Sequence, residues 1–275
     1  MGKQKRSENT YQKINTIFMR DANNVIMPYE PFVEPEFEYL RGLKWRGECK
    51  IDGTNMRIEV TKHSIFEPGN ESMCGVGFEV AIKGKTDNAQ IPPKLLKFME
   101  ENYPKEKVFA ALGLKEFIPT EEWESEHNWL EYDQIPNIYT IYGEGYGVGI
   151  QKAGGNYIKD GVGFIVFDVK VNDIYLKTDA RDEIANKLGA PIVPLMGYFT
   201  LDEAIEYVRK GFKTGLWDNK DFIEEGLVLR TDLGLRNRMG KRLIVKVKYE
   251  DFQKYRQVYG TDEKVEQPRN ENYKG

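Results

Sequence analysis

The chain is poor in the residues that build soft-metal and redox centres: its 275 residues include only two cysteines and two histidines. Cys49 and Cys74 form no Cys-x-x-Cys pair, and His63 and His127 stand far apart, the second with no cysteine beside it, which argues against a zinc site. No apolar run approaches membrane-spanning length, and Met1-Gly2-Lys3-Gln4-Lys5-Arg6 carries charge with no apolar stretch behind it. Arg6 stands where a myristoylation signal prefers Ser or Thr. A cytoplasmic protein without a membrane partner is expected. An excess of positive charge is missing too. The net charge of −4 argues against nonspecific coating of nucleic acid but leaves room for local basic strips. Two such strips are Arg41, Lys44 and Arg46, and Arg236, Arg238, Lys241 and Arg242. Repeats and low-complexity stretches are absent, and nothing between residues 40 and 250 reads as a linker.

What is there suffices for a sizeable core, with 40% hydrophobic and 12% aromatic residues. The expected organisation is an arm over 1–35, one domain over 36–250 and a tail over 251–275, its end from 261 onward without order. Short segments rich in β-branched and aromatic residues predict strands at 47–51, 55–61, 138–142, 163–171, 226–230 and 242–247. Pro92 and Pro93 open a predicted helix whose Leu95, Leu96, Met99 and Tyr103 share a face and which ends before Pro104. A second helix over 179–188 stops at Gly189, and Thr200-Leu201-Asp202-Glu203 caps a third that ends near Gly211. Strands outnumber helices without strict βαβ alternation. The expected class is α+β, built mainly of antiparallel sheets with flanking helices.

Four charged islands follow one another: Lys50-Ile51-Asp52-Gly53-Thr54-Asn55, Tyr142-Gly143-Glu144, Glu225-Gly226-Leu227-Val228 and Lys246-Val247-Lys248. The first sits in a segment, 47–61, that reads as a hairpin turning at Asp52-Gly53, with Glu48 and Lys50 on one face and Cys49 and Ile51 behind. A lysine amine is protonated at neutral pH, so nucleophilic use requires neighbouring cations, burial or a bound metal. Lys246 and Lys248 supply such a field, and Mg²⁺ suits a chain offering carboxylates without a soft ligand cluster. A Lys-x-Asp-Gly match alone arises by chance in roughly one chain of this length in twenty. The weight therefore rests on the other islands. Glu144 follows an apolar strand and lies among glycines that would let backbone approach a ligand; the stretch is neither a Walker A loop nor a Gly-x-Gly-x-x-Gly fingerprint. Lys246 and Lys248 share one face of a strand, which is unfavourable unless an anion lies between them.

In this order the islands resemble the motifs of the covalent nucleotidyltransferase superfamily of ATP-dependent ligases and capping enzymes. Residues 164–169 are similar to a further motif of that superfamily, so the resemblance runs from about Glu48 to Lys248. DNA ligases usually carry Arg five residues after the lysine, where this chain has Asn55; Lys-x-x-Gly-Thr-Asn is similar to RNA ligases of the RNA ligase 2-like kind. Segments 83–92 and 142–157 also resemble bacterial and phage RNA ligases, and a phage-encoded chain would act in the host cytoplasm.

The resemblance implies a nucleotidyltransferase, ATP-grasp-like core and an ATP-dependent RNA ligase joining 3′-hydroxyl and 5′-phosphate RNA ends. Lys50 would carry AMP, Glu144 would bind the ribose, and Phe167 and Val228 would cover the two faces of adenine. Asn55, Ile51 and Lys85 would line the nucleotide site, and Lys246 and Lys248 would hold the α-phosphate and pyrophosphate. Glu225 and Asp168 would serve Mg²⁺, with Mn²⁺ as a substitute. Three departures stand out. Cys49 replaces a glutamate common in RNA ligases, so Glu48 would read the base, as an acid two residues before the lysine does in some DNA ligases. Lys85 stands where relatives often have Arg. Only 27 residues follow Lys248, too few for the OB domain of capping enzymes and DNA ligases. The alternatives are a minimal DNA ligase and a nucleotide- or RNA-binding module without turnover. Both basic strips are candidates for contacts to a strand backbone.

Overall fold

Period-two alternation of apolar and polar residues accounts for much of the architecture in the computed structural model, which describes residues 9–66, 73–116 and 135–270. In chain order the elements are β1 (Asn15–Thr16), α1 (Pro35–Tyr39), β2 (Trp45–Cys49), β3 (Thr54–Phe66), β4 (Met73–Gly84), α2 (Pro93–Asn102), α3 (Lys105–Leu112) and β5 (Ile138–Gly147). There follow α4 (Gly154–Tyr157), β6 (Val162–Val171), β7 (Ile174–Tyr175), α5 (Thr178–Leu188), β8 (Leu195–Phe199), α6 (Leu201–Lys210), β9 (Gly226–Arg230), β10 (Ile244–Lys248) and α7 (Tyr249–Tyr259). Among the described residues no helix is long and apolar enough to cross a membrane.

The described chain falls into two compact units, one of residues 9–11 and 53–192, the other of 12–52 and 193–270. The first is built on a sheet of order β4-β3-β5-β6-β7, antiparallel throughout. On β3, Met56, Ile58 and Val60 are buried in a core shared with Val76, Ile141, Phe164 and Val166. Alternation sends Asn55, Arg57 and Glu59 to the opposite face. Helix α2 covers the core with Leu95 and Met99, four residues apart on one stripe. Pro93 occupies its first turn, where a missing N–H costs nothing, and Pro104 follows its end. Full burial of side chains of this size contributes about 1.5–3 kcal/mol each.

The second unit carries a sheet of order β1-β10-β9-β2-β8, parallel only between β1 and β10. Leu227, Leu229, Val245 and Val247 are buried on one face, while Val228, Arg230, Lys246 and Lys248 are half-buried on the other. Helix α6 opens with the expected capping box: the Glu203 N–H donates to Thr200 Oγ1 at 3.2 Å and the Thr200 N–H to Glu203 Oε2 at 2.7 Å. Leu201, Ala204 and Val208 form its buried stripe.

Antiparallel sheets with flanking helices match the expected class, and the predicted strands and helices all appear, with β3 and β5 running several residues beyond their expected ends. One expectation fails. Segment 47–61 is not a hairpin, because β2 pairs with β8 and β9 whereas β3 pairs with β4 and β5. Both edges of each strand are filled by other partners, so Asp52-Gly53 joins two sheets instead of closing one. An Asp-Gly turn signal records local backbone freedom and says nothing of which strand competes for the edge.

Candidate active site

In the second unit the strand register assembles a polar floor. Glu48 pairs with Val228 and Val228 with Lys246 in one row; Gly226 pairs with Lys248 in the next, where the Lys50 N–H extends the ladder by donating to the Gly226 carbonyl at 2.9 Å. Because side chains alternate, Glu48, Val228, Lys246 and Lys248 share the face away from the core. The Lys50 ammonium donates to Glu225 Oε2 at 2.7 Å, and Lys248 Nζ lies 3.0 Å from the other oxygen, Oε1. Lys248 also pairs with Glu250. Burial, and after it the charges of Lys50 and Lys248, push the Lys246 pKa below the usual lysine value. Lys248 moves the other way: burial opposes its charge, but Glu225 and Glu250 together raise its pKa.

Glu48 is buried between two arginines, 3.0 Å from Arg46 Nε and 3.1 Å from Arg230 Nη2. Those three charges largely satisfy one another, which lets them occupy the sheet face. Ile51 is buried, and Val228 lies between Glu48 and Lys246.

A second carboxylate beside this floor escaped the sequence reading. Glu224 is buried and its Oε1 accepts from Trp217 Nε1 at 2.7 Å and Thr214 Oγ1 at 2.5 Å, while its Oε2 accepts from Cys49 Sγ at 3.3 Å. Adjacent residues therefore make parallel links: Cys49 to Glu224 inside, Lys50 to Glu225 outside. Burial, then Glu224, raises the Cys49 thiol pKa well above its ordinary range. The one available signal was the Glu224-Glu225 doublet itself, since entry into a strand turns one of two neighbours inward. Gly226 is obligatory here, with φ +149° and a position where a Cβ would meet the Val247 carbonyl oxygen at 2.0 Å.

In the first unit Asn55 and Glu144 are direct cross-strand partners on β3 and β5. Asn55 Oδ1 is buried with no hydrogen-bond partner. The glycines on either side of Glu144 are required by packing. A Cβ at Gly143 would strike the Phe164 ring at 2.3 Å and one at Gly145 the Leu95 side chain at 2.3 Å, so they admit core side chains under the strand. Phe167 is the extra residue of a β-bulge, since Tyr142 pairs with Asp168 and Gly143 with Val166. Asp168 is buried, its Oδ2 accepting from the Tyr11 hydroxyl at 2.7 Å; the Tyr11 ring stands edge-on to Phe167 at 4.9 Å and to Tyr142 at 5.0 Å. Tyr11 was invisible to a reading that treated its segment as an arm.

Lys85 stands apart from these residues' strands, exposed in the bend after β4. That bend is held from below by Arg57, which is buried, donates to the Gly84 carbonyl at 2.5 Å and pairs with Asp87 and Glu59. Among the described residues no group of three or more His, Cys, Asp or Glu side chains is placed to hold a metal. The second unit thus offers a primary amine, two further ammonium groups and a shared carboxylate, a set suited to phosphate and phosphoryl transfer.

The RNA ligase family model matches residues 43–248, from just before β2 to the last residue of β10. The chain belongs to the RNA ligase family. No curated protein matches it. Among solved structures it is similar to a Naegleria gruberi RNA ligase variant with ATP and Mn, at 16% identity and a TM-score of 0.50, over 92% of this chain and 63% of that one. Another variant of that RNA ligase with ATP and Mn matches at 16% identity and a TM-score of 0.50, covering 93% and 60%. The likeness is one of fold, and this chain spans less than two thirds of the length of those relatives.

Proposed function

We propose that this RNA ligase family member is an ATP-dependent enzyme that joins RNA 3′-hydroxyl and 5′-phosphate ends, with Lys50 as its nucleophile. The observation that carries the reading is the shared carboxylate: Glu225 holds Lys50 on one oxygen and Lys248 on the other, with Lys246 two residues before Lys248 on the same strand face. Three ammonium groups on one floor exceed what Glu225 and Glu250 together neutralise. A polyphosphate restores the balance.

In the first step the Lys50 ammonium gives up a proton to solvent, its lone pair attacks the α-phosphorus of ATP, the phosphoanhydride bond breaks and pyrophosphate leaves, and a second proton departs from the nitrogen as the P–N bond forms. Lys246 and Lys248 stabilise the negative charge that develops on it. In the second, an oxygen of an RNA 5′-phosphate attacks the lysyl-AMP phosphorus and frees the Lys50 amine. In the third, a 3′-hydroxyl attacks the adenylated 5′-phosphate, forming the phosphodiester and releasing AMP. On this reading Glu144 and Asn55 hold the ribose and phosphate, Phe167 and Val228 cover adenine, and Glu48, Ile51 and Lys85 complete the nucleotide contacts.

The metal is Mg²⁺, replaceable by Mn²⁺. Glu225, whose two oxygens hold Lys50 and Lys248, is a hard-oxygen donor of the kind it needs; in the other unit, Asn55 Oδ1 is buried without a hydrogen-bond partner. When bound, the metal neutralises phosphate charge and favours the neutral amine. Asp168, with the Tyr11 hydroxyl already on it, fits less well; its proposed work is to hold the bulge that presents Phe167.

Incubation with α-phosphate-labelled ATP or GTP and Mg²⁺, beside Lys50→Ala, tests the reading on a denaturing gel. Label from ATP alone, absent in the variant, is expected. Label from GTP supports a capping activity instead, and no label from either means a binding module without turnover.

A further inference from the structure

The two basic strips picked out in the sequence fare differently in the fold. In the first, every cation has an acidic partner: Arg41 pairs with Asp202 at 2.7 Å, Lys44 with Glu203 at 2.6 Å and Arg46 with Glu48 at 3.0 Å. Such charges are already compensated and add little to the attraction of a phosphate chain. The second strip lies on the connection between β9 and β10, residues 231–243, and is compensated in part, with Lys241 paired to Glu34 at 3.0 Å. There Arg236 donates to the Gly240 carbonyl at 2.8 Å, a neutral acceptor, and neither Arg236 nor Arg238 makes an ion pair among the described residues. Both side chains are exposed.

This connection is a built finger. Arg236 bridges to Arg242 as in an antiparallel ladder, and the Leu243 N–H donates to the Leu235 carbonyl at 2.8 Å. At the tip, Asn237 Oδ1 accepts from the Met239 and Lys241 N–H groups, both at 3.0 Å, and the Asn237 N–H donates to the Lys241 carbonyl at 2.9 Å. Gly240, at φ +78°, takes the left-handed turn that closes it. A tip fixed in this way presents its arginines from an ordered backbone, so that binding has only the side chains left to order.

We propose that the β9–β10 finger is the docking surface for the phosphodiester backbone of the RNA substrate, with Arg236 and Arg238 as its phosphate contacts. The inference rests on the ligase reading and adds the place where the RNA strand is held. Guanidinium groups match phosphate oxygens bidentately, and such contacts position a strand without reading its sequence. The net charge of −4 makes a local uncompensated cation pair the more telling.

The test is the affinity of the full chain for a fluorescent 5′-phosphorylated RNA oligonucleotide, single-stranded and within a nicked duplex, over a KCl series. Arg236→Ala/Arg238→Ala is compared with Arg41→Ala/Lys44→Ala as a control of equal charge change. The finger variant is expected to bind about tenfold or more weakly, with a log–log salt slope shallower by about 1.4 to 1.8. The control is expected to bind as wild type. Wild-type affinity and slope in the finger variant, equal loss in the control, or no salt-dependent RNA binding by the wild type would each overturn the proposal. Self-adenylation run in parallel keeps the two readings distinct: no label in the wild type counts against the ligase, whereas a labelled finger variant that also binds RNA normally counts against the finger alone.

Discussion

Lys50 Nζ stands 2.7 Å from Glu225 Oε2, while Lys248 Nζ stands 3.0 Å from Oε1 of the same carboxylate. The pair fixes the amine of Lys50, the proposed nucleophile, at one edge of the polar floor. Replacing Glu225 by Gln leaves size and shape but removes the charge that holds both lysines. Self-adenylation, followed as the mass gain of AMP on the intact protein, is expected to fall by about a hundredfold in Glu225→Gln and to vanish in Lys50→Ala. Near-normal adenylation of Glu225→Gln would show that the ion pair is dispensable.

Gly226 joins that carboxylate to the strand at φ +149°, with the Val247 carbonyl oxygen 2.0 Å from where a Cβ would sit. Gly226→Ala must either twist the start of β9 or push β10 aside. A loss of about 3 kcal/mol or more is expected from strain and overpacking together. Urea unfolding measures it; a midpoint equal to wild type would contradict the geometry.

Tyr11→Phe removes the hydroxyl that donates to buried Asp168 at 2.7 Å while keeping the ring against Phe167 and Tyr142. A buried carboxylate losing a donor costs about 1–3 kcal/mol. The same substitution is expected to raise KM for ATP more than it lowers kcat, because Tyr11 bonds Asp168 and packs its ring against Phe167, the proposed adenine contact. Unchanged stability and KM together would remove Tyr11 from the site.

Lys246 gives the pH dependence. Burial first, then the charges of Lys50 and Lys248, hold its pKa below the usual 10.5. A group depressed this way disfavours the fold while charged, and that penalty disappears as pH rises from the lowered value to the unfolded one. Anion binding runs the opposite way, since phosphate favours the charged lysine. Pyrophosphate affinity measured by calorimetry is therefore expected to fall as pH climbs through the depressed Lys246 value, below 10.5, and Lys246→Met is expected to abolish that step. A flat profile across this range would mean that Lys246 is not a phosphate contact.

The order of the islands, the caps of α2, α5 and α6 and the α+β class were legible in the chain because each depends on local chemistry. Proline fits a first helical turn, glycine ends a helix, and a period of two separates Lys246 and Lys248 from Val245 and Val247. The sheet to which a strand belongs is another matter. Edges are won by competition among all strands, so β2 and β3 part at Asp52-Gly53 although their local signal reads as a hairpin. Burial of a particular carboxylate is likewise a long-range outcome: Glu224 and Glu225 are the same residue type side by side, and only the arrival of Cys49, Thr214 and Trp217 makes one a buried anchor while Lys50 and Lys248 claim the other. Charge compensation follows the same rule. Arg41 and Arg238 are alike in sequence, and the helix that carries Asp202 to Arg41 brings nothing acidic to Arg238. Residue types and spacing determine which chemistry the chain can perform; tertiary packing, by deciding which charges meet and which stay exposed, determines where.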